Sequence, residues 1–182
     1  MNHERAMKRV IYIFCLLFFA FSLAHQAEVL TEYQVKAAYL YNFLRFVKWP
    51  GHAFKDEQQP IIIGIFQFNP VEQDLRKIIA NRTIGSRLIV IKTLESPQDA
   101  QGCHAVYFGD IERRHQISTI TMIEQNPVLT ISDADYFCRI GGMIYFFTED
   151  NRLRLIINRK AVSDAQLEIS AKLLRVAQIY NE

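Results

Sequence analysis

PIIIGIFQFNPVEQDLRKIIA, residues 60–80, is the stretch that decides the fold. Ile61–Phe66 is apolar almost without alternation, the mark of a strand buried on both faces of a parallel sheet. After a short turn, Asn69, Pro70 and Glu72 read as the N-cap, first-turn proline and capping-box glutamate of a helix running to about Ala80. Strand, short turn, helix is the building unit of an α/β fold. Downstream, Leu88–Ile91, His104–Phe108 and Val128–Ile131 have the same Ile/Val/Phe-rich character, and Asp110 is placed to cap a second helix running to about Glu124. Met143–Phe147 and Leu153–Ile157 flank Glu149-Asp150-Asn151-Arg152 and read as a β-hairpin. A last helix is expected over roughly Ser170–Tyr180, packing through Leu173, Leu174, Val176, Ala177 and Tyr180. The predicted fold is a single-domain α/β/α sandwich: a mostly parallel sheet with an antiparallel edge hairpin, spanning residues 31–182.

Upstream, EYQVKAAYLYNFLRFVKWP (Glu32–Pro50) is predicted to be one helix, capped by Thr31 and stopped by Pro50 and Gly51. Val35, Tyr39, Leu40, Phe43, Leu44, Phe46 and Val47 fall on one wide face, and Gln34, Tyr41, Asn42, Arg45 and Lys48 on the opposite, wettable one. Glu32 and Lys36 lie one turn apart within the oily face, where charges must pair or reach water. The face either covers the core, with these two charges meeting at its rim, or keeps part of its surface for a partner.

Residues 1–24 read as a cleaved signal peptide: a basic n-region (Arg5, Lys8, Arg9), an apolar h-region (Val10–Leu23) and small residues at the cleavage site, Ser22-Leu23-Ala24. The oily run is short for a spanning helix, and no lipoprotein pattern surrounds Cys15. Cleavage would leave eighteen Lys+Arg against eighteen Asp+Glu, which argues against a nucleic-acid binder driven by bulk charge. Export implies an oxidising compartment, the periplasm, yet only Cys103 and Cys138 remain. On neighbouring parallel strands they would fall at opposite ends of the sheet, so both are expected to be unpaired, Cys103 buried and Cys138 more accessible.

Catalytic signatures are absent: the chain has no GxSxG, HExxH, P-loop or CxxC. The turn Gln67-Phe68-Asn69-Pro70 lacks the glycines that bring a backbone against a pyrophosphate, so no nucleotide cofactor is expected. No metal is expected either; His52, His104 and His115 lack ligand spacing, and His104 fits a hydrogen-bonded core histidine. Asn69, Asp110, Ser132 and Asp133 follow the carboxyl ends of predicted strands, the edge where α/β folds place ligands. They read as caps and turn residues, with Asn69, Asp110 and Asp133 the candidates for holding a small polar molecule. Gly141-Gly142 reads as a bend or close approach feeding the hairpin, or as a mobile lip beside Cys138.

Taken in order, Glu32–Pro50, VLTISD (128–133), GGMIYF (141–146) and ISAKLLRVAQI (169–179) resemble the YfiR family of bacterial periplasmic proteins. The likeness spans about Glu32 to Tyr180. It implies a non-enzymatic regulator. Characterised relatives bind the periplasmic sensor region of an inner-membrane diguanylate cyclase and hold it inactive. An outer-membrane lipoprotein can titrate the repressor away, and dimers are usual. One departure stands out: relatives can carry two redox-coupled disulfides, whereas here Cys103 and Cys138, the candidate redox residues, look like single halves. Positions near Gly64 and Tyr145 lack the cysteines that would complete the pairs.

Three functions remain open at this point. The first is an inhibitory module for a membrane diguanylate cyclase, with the first helix, the Gly141-Gly142 region and the hairpin as the contact surface. Its candidate contacts are Tyr39, Phe43, Trp49, Gly141, Gly142, Met143 and Ile144. The second is a periplasmic small-ligand sensor feeding another membrane receptor. The third is a hydrolase using Asp110 or Asp133.

Overall fold

In the computed structural model, which describes residues 30–67 and 69–181, the Ile61–Phe66 run is a strand in the interior of the sheet, flanked on both sides by parallel neighbours. The signal-peptide expectation lies outside the described residues. In chain order the helices are α1 (Glu32–Phe46), α2 (Val71–Ile79), α3 (Arg113–Ile123), α4 (Arg159–Asp164) and α5 (Ala171–Leu174). The strands are β1 (Val47–Lys48), β2 (Ile61–Phe66), β3 (Thr83–Ile84), β4 (Arg87–Leu94), β5 (Ala105–Tyr107), β6 (Leu129–Ser132), β7 (Ile144–Glu149), β8 (Arg152–Ile157), β9 (Glu168–Ile169) and β10 (Gln178–Ile179). Eight strands form one sheet in the order β10-β8-β7-β6-β5-β2-β4-β3, and β1 pairs separately with β9. The core from β4 to β7 is parallel, with Ile63 beside both Ile91 and Ala105 and Val106 beside Thr130. Antiparallel pairing appears in the β7–β8 hairpin and in the short β3–β4 hairpin.

Alternation along each strand divides the core into two layers. Ile61, Ile63, Ile65, Ile89, Ile91, Tyr107, Ile131, Ile144 and Phe146 face one side, where Leu40, Phe43 and Leu44 of α1 and Leu75 of α2 cover them. Phe66, Leu94, Val106 and Phe108 face the other, against Ile123 of α3 and Phe137. The predicted three-layer sandwich with a mainly parallel sheet is the observed architecture.

Several boundaries differ from the sequence reading, each because of a contact distant in sequence. Helix α1 ends at Phe46 rather than running on to Pro50: Val47 and Lys48 turn extended to pair with Ile169 and Glu168, and the Phe46 carbonyl accepts from the Ser170 N–H. Its buried face also differs. Lys36, Ala37 and Tyr41 are buried, Tyr41 under the guanidinium groups of Arg45 and Arg82, whereas Val35, Tyr39 and Phe46 are only half-buried. The expected final helix is one turn, α5, after which Gln178–Ile179 lies parallel to Ile156–Ile157 as an added strand. The hairpin therefore stands one strand in from the edge. Helix α4, which sequence reading missed, is capped by Asn158 Oδ1 accepting from the Ala161 N–H.

At α2, Asn69 Oδ1 accepts from the Val71 N–H, as the N-cap reading required. Glu72 does not close a capping box; its carboxylate takes two bonds from Arg76. Asp110 is exposed and caps nothing, because α3 starts later, with Glu112 at the cap position. Strand β4 is not buried on both faces. Ile89 and Ile91 face α1 and α2, but Leu88 is 63% and Val90 42% exposed.

Candidate functional site

Lys36 sits on the buried face of α1 with 5% of its surface exposed. Its ammonium lies 2.6 Å from Glu32 Oε1 and 2.8 Å from Asp133 Oδ2. Asp133 follows β6, and the same Oδ2 accepts a 2.8 Å bond from the hydroxyl of Tyr107 at the end of β5. Gly109, at φ 58°, leaves room for the Asn69 side chain close by, since a Cβ there would run into Asn69 Nδ2. Charge-assisted bonds of this length make the Lys36–Asp133 contact strong and directional. Asp133 Oδ1 is buried without a partner. Sequence position thus brought Asn69 and Asp133 together at the strand ends as expected, and left exposed Asp110 outside the cluster.

The electrostatics of this cluster hold charge in place rather than move protons. Burial lowers the pKa of Lys36, but bonding to Asp133 and Glu32 more than offsets it, so the net shift is upward and the ammonium persists. Burial, then the Asp133 charge, pushes the Tyr107 phenol far above its usual range. Neither the Lys36 amine nor the Tyr107 phenol is poised near neutrality, as acid–base work by this pair would need. The rim pair of Glu32 and Lys36 exists, but Asp133 is the partner that sequence alone missed. The signal for it was Lys36 itself, a cation within an apolar face whose i−4 carboxylate is 57% exposed.

At the opposite end of the strands, His104 Nδ1 accepts from the Ile62 N–H at 3.0 Å while Nε2 meets the Ala53 carbonyl at 3.2 Å. Its ring stacks on Phe54 with centroids 4.5 Å apart, and Arg87 lies on Phe54 at 3.8 Å. Trp49 Nε1 donates to the His104 carbonyl at 3.1 Å. Trp49 is therefore anchored by its polar edge and remains half-buried.

The cysteines are both unpaired, and both are buried, Cys103 at 4% and Cys138 at 5% exposure. The greater accessibility expected of Cys138 is corrected. The chain turns back after Asp133 into the 3-10 turn Phe137–Ile140, which carries Cys138 inward, where its carbonyl accepts from Asn158 Nδ2. Burial raises both thiols to about 11, so they are protonated near neutrality and poor nucleophiles. A Cβ placed on Gly64 would lie 3.0 Å from Cys103 Sγ.

Gly141 adopts φ 91°, and Gly142 is buried where any Cβ would strike the Phe137 ring. The pair therefore serves as bend and close approach. Gly141 and Cys138 also line a cleft of about 500 Å³ between the end of α3, the Phe137–Ile140 turn and α4, with His52, Arg139, Asn158 and Asp164 among its polar walls. Of the candidate contact residues, Phe43, Gly142, Met143 and Ile144 are interior; Tyr39 and Trp49 are half-buried and Gly141 is exposed.

A solved structure of a conserved domain protein from Vibrio cholerae O1 biovar El Tor is similar in fold, with a TM-score of 0.54 at 14% identity. The match covers 84% of this chain and 61% of the Vibrio one. No curated protein matches the chain. The family model described as YfiR/HmsC-like matches residues 33–178, which takes in every strand but the last residue of β10 and all five helices but the first residue of α1, and the chain belongs to that family.

Proposed function

We propose that the protein is a non-enzymatic periplasmic regulator that binds the sensor domain of an inner-membrane diguanylate cyclase and represses cyclic-di-GMP synthesis. The observation that carries this reading is the YfiR/HmsC-like match over residues 33–178. Two features of the molecule agree with it. Its charged cluster is locked rather than poised for chemistry, and no helix among the described residues is long and apolar enough to cross a membrane. Binding would favour one arrangement of the receptor, so a cytoplasmic output changes without a reaction at the contact. The contact is best sought at Tyr39, Trp49 and Gly141; Phe43, Gly142, Met143 and Ile144 would support it from within. An outer-membrane lipoprotein that sequesters the regulator belongs to the same scheme. Deleting the gene should raise cyclic-di-GMP and biofilm, and affinity capture from envelope extracts should recover a cyclase. Unchanged cyclic-di-GMP with no cyclase captured would overturn the proposal.

A second reading, a periplasmic small-ligand sensor feeding another receptor, is favoured by the cleft of about 500 Å³ beside Gly141. A ligand specific to the native state must raise its melting temperature. Thermal-shift screening of a metabolite panel tests this, and a panel without a stabilising compound counts against it.

A further inference from the structure

Residues 51–59 form a strap at the amino ends of β2, β5 and β6, with only the 3-10 turn Gly51–Ala53 as regular structure. A cleft of about 470 Å³ lies between His52, Phe54 and Lys55 of the strap and Gly102, Met122 and Asn126 opposite. Backbone bonds within the strap are local: Ala53 N–H donates to the Pro50 carbonyl and Phe54 N–H to the Gly51 carbonyl. Side chains of the sheet fasten it. His104 Nε2 holds the Ala53 carbonyl at 3.2 Å, Arg87 Nη1 donates to the Asp56 and Gln59 carbonyls at 2.7 Å each, and Ser86 Oγ donates to the Glu57 carbonyl at 3.2 Å. Of these fasteners, only His104 changes charge in mild acid.

The His104 ring is 3% exposed and is seated by both nitrogens. Because Nδ1 accepts from the Ile62 N–H, it is the bare nitrogen, and the ring proton sits on Nε2, which donates to Ala53. A proton taken from solvent onto Nδ1 would set two N–H donors against each other in a buried place. The sheet is the fixed side of that clash: the Ile62 carbonyl also accepts from the His104 N–H at 2.8 Å, and Ile62 lies beside Val90 in the ladder. The strap, largely exposed, is the side that yields. Charge acts in the same direction. The Phe54 ring stacks on His104 and also carries the Arg87 guanidinium, so an imidazolium would bring a second cation to the same ring. Other groups that titrate or carry charge nearby are His52, Lys55, Asp56 and Glu57, exposed on the strap, and buried Cys103 beside the ring in sequence; Asp99 is engaged by Ser96. Strand β2 and residues 125–128 add none.

We propose that His104 is an acid-released latch: protonation of Nδ1 unseats the ring from between Ile62 and Ala53, the strap lifts, and the cleft beside it opens while the sheet stays folded. Trp49, whose ring meets Phe54 edge-on with centroids 6.4 Å apart, loses that neighbour and becomes more exposed. The latch thus sets how much of Trp49 a partner meets, and it holds whichever partner the protein serves.

Trp49 is the sole tryptophan of the chain, so its emission reports on the strap directly. Between about pH 7 and about pH 5, the wild type should show a red shift of that emission and stronger acrylamide quenching, with unchanged far-UV circular dichroism. His104→Asn keeps an acceptor for the Ile62 N–H without a titrating nitrogen and should remove the transition. His52→Gln, which removes the exposed imidazole of the strap, should leave it in place. Hydrogen exchange of the wild type, corrected for the intrinsic pH dependence of the rate, needs no variant. The amides of Ala53, Phe54 and Ile62 should lose protection in acid while those of residues 63–66 keep it. An emission that stays flat across this range, a transition that survives in His104→Asn, or one that coincides with loss of the circular dichroism signal would each overturn the latch.

Discussion

At the carboxyl end of β5 and β6, a lysine, two carboxylates and a phenol meet; at the amino end of the same strands, a neutral imidazole, an indole and a phenyl ring do. Both arrangements tie a terminal segment of the sheet to a distant part of the chain, α1 in the first case and the residues around Ala53 in the second. They differ in what failure costs. A charge left without its partner in a buried site is far more expensive than a neutral donor that loses a bond. The carboxyl end is therefore a high-stakes lock, and the amino end a tolerant one.

The sharpest way to break that contrast is Lys36→Met. It leaves Asp133 facing an apolar side chain with only Tyr107 as donor, and should cost about 3 kcal/mol in denaturant unfolding. Combining it with Asp133→Leu should recover most of the loss, because no charge is then stranded. If the single change costs no more than an exposed ion pair such as Lys48 with Glu168, the lock does not exist. Tyr107→Phe comes next. It removes one bond to a carboxylate in a site that keeps its lysine, and should cost about 2 kcal/mol in the same measurement.

Trp49→Phe probes the opposite end. The lost bond is neutral and to a backbone carbonyl, so about 1 kcal/mol is expected. A penalty equal to that of Lys36→Met would erase the distinction between the two ends.

The same contrast separates what sequence made legible from what it did not. The strands β2, β5 and β6 could be read because their apolar runs are local facts. The turn at Asp150 and Asn151, φ 50° and 56°, was equally local. Lys36 was visible as an oddity, but its partner Asp133 lies 97 residues away, so only the i−4 Glu32 could be named. The conversion of Gln178–Ile179 from helix to strand needed knowledge that β8 offers it an edge. Cys138 was misjudged because its burial depends on a chain reversal that no periodicity announces. His104 was read as a bonded core residue, yet its donor Ile62 and acceptor Ala53 come from two separate segments.

pH offers the gentlest separation of the two ends, because they titrate in opposite directions. The folded state holds the protons of Lys36 and Tyr107 more tightly than the unfolded chain does. Their contribution is complete below the ordinary values, 10.5 and 10.0, and is lost as pH rises beyond them. His104 behaves the other way. Burial, reinforced by the charge of Arg87, lowers its pKa below 6.5, and Nδ1 cannot gain a proton while it accepts from Ile62. The unfolded chain therefore takes up the proton first, and stability falls as pH drops below 6.5. One proton limits this slope to about 1.4 kcal/mol per pH unit, reached only well below that value, so it is the smallest of these effects. Unfolding curves between pH 7 and 5 should be steeper in pH for wild type than for His104→Asn, whose Oδ1 takes the place of Nδ1 without a titration. Identical slopes would mean that the imidazole end carries no acid sensitivity, and that the carboxylates alone govern that limb.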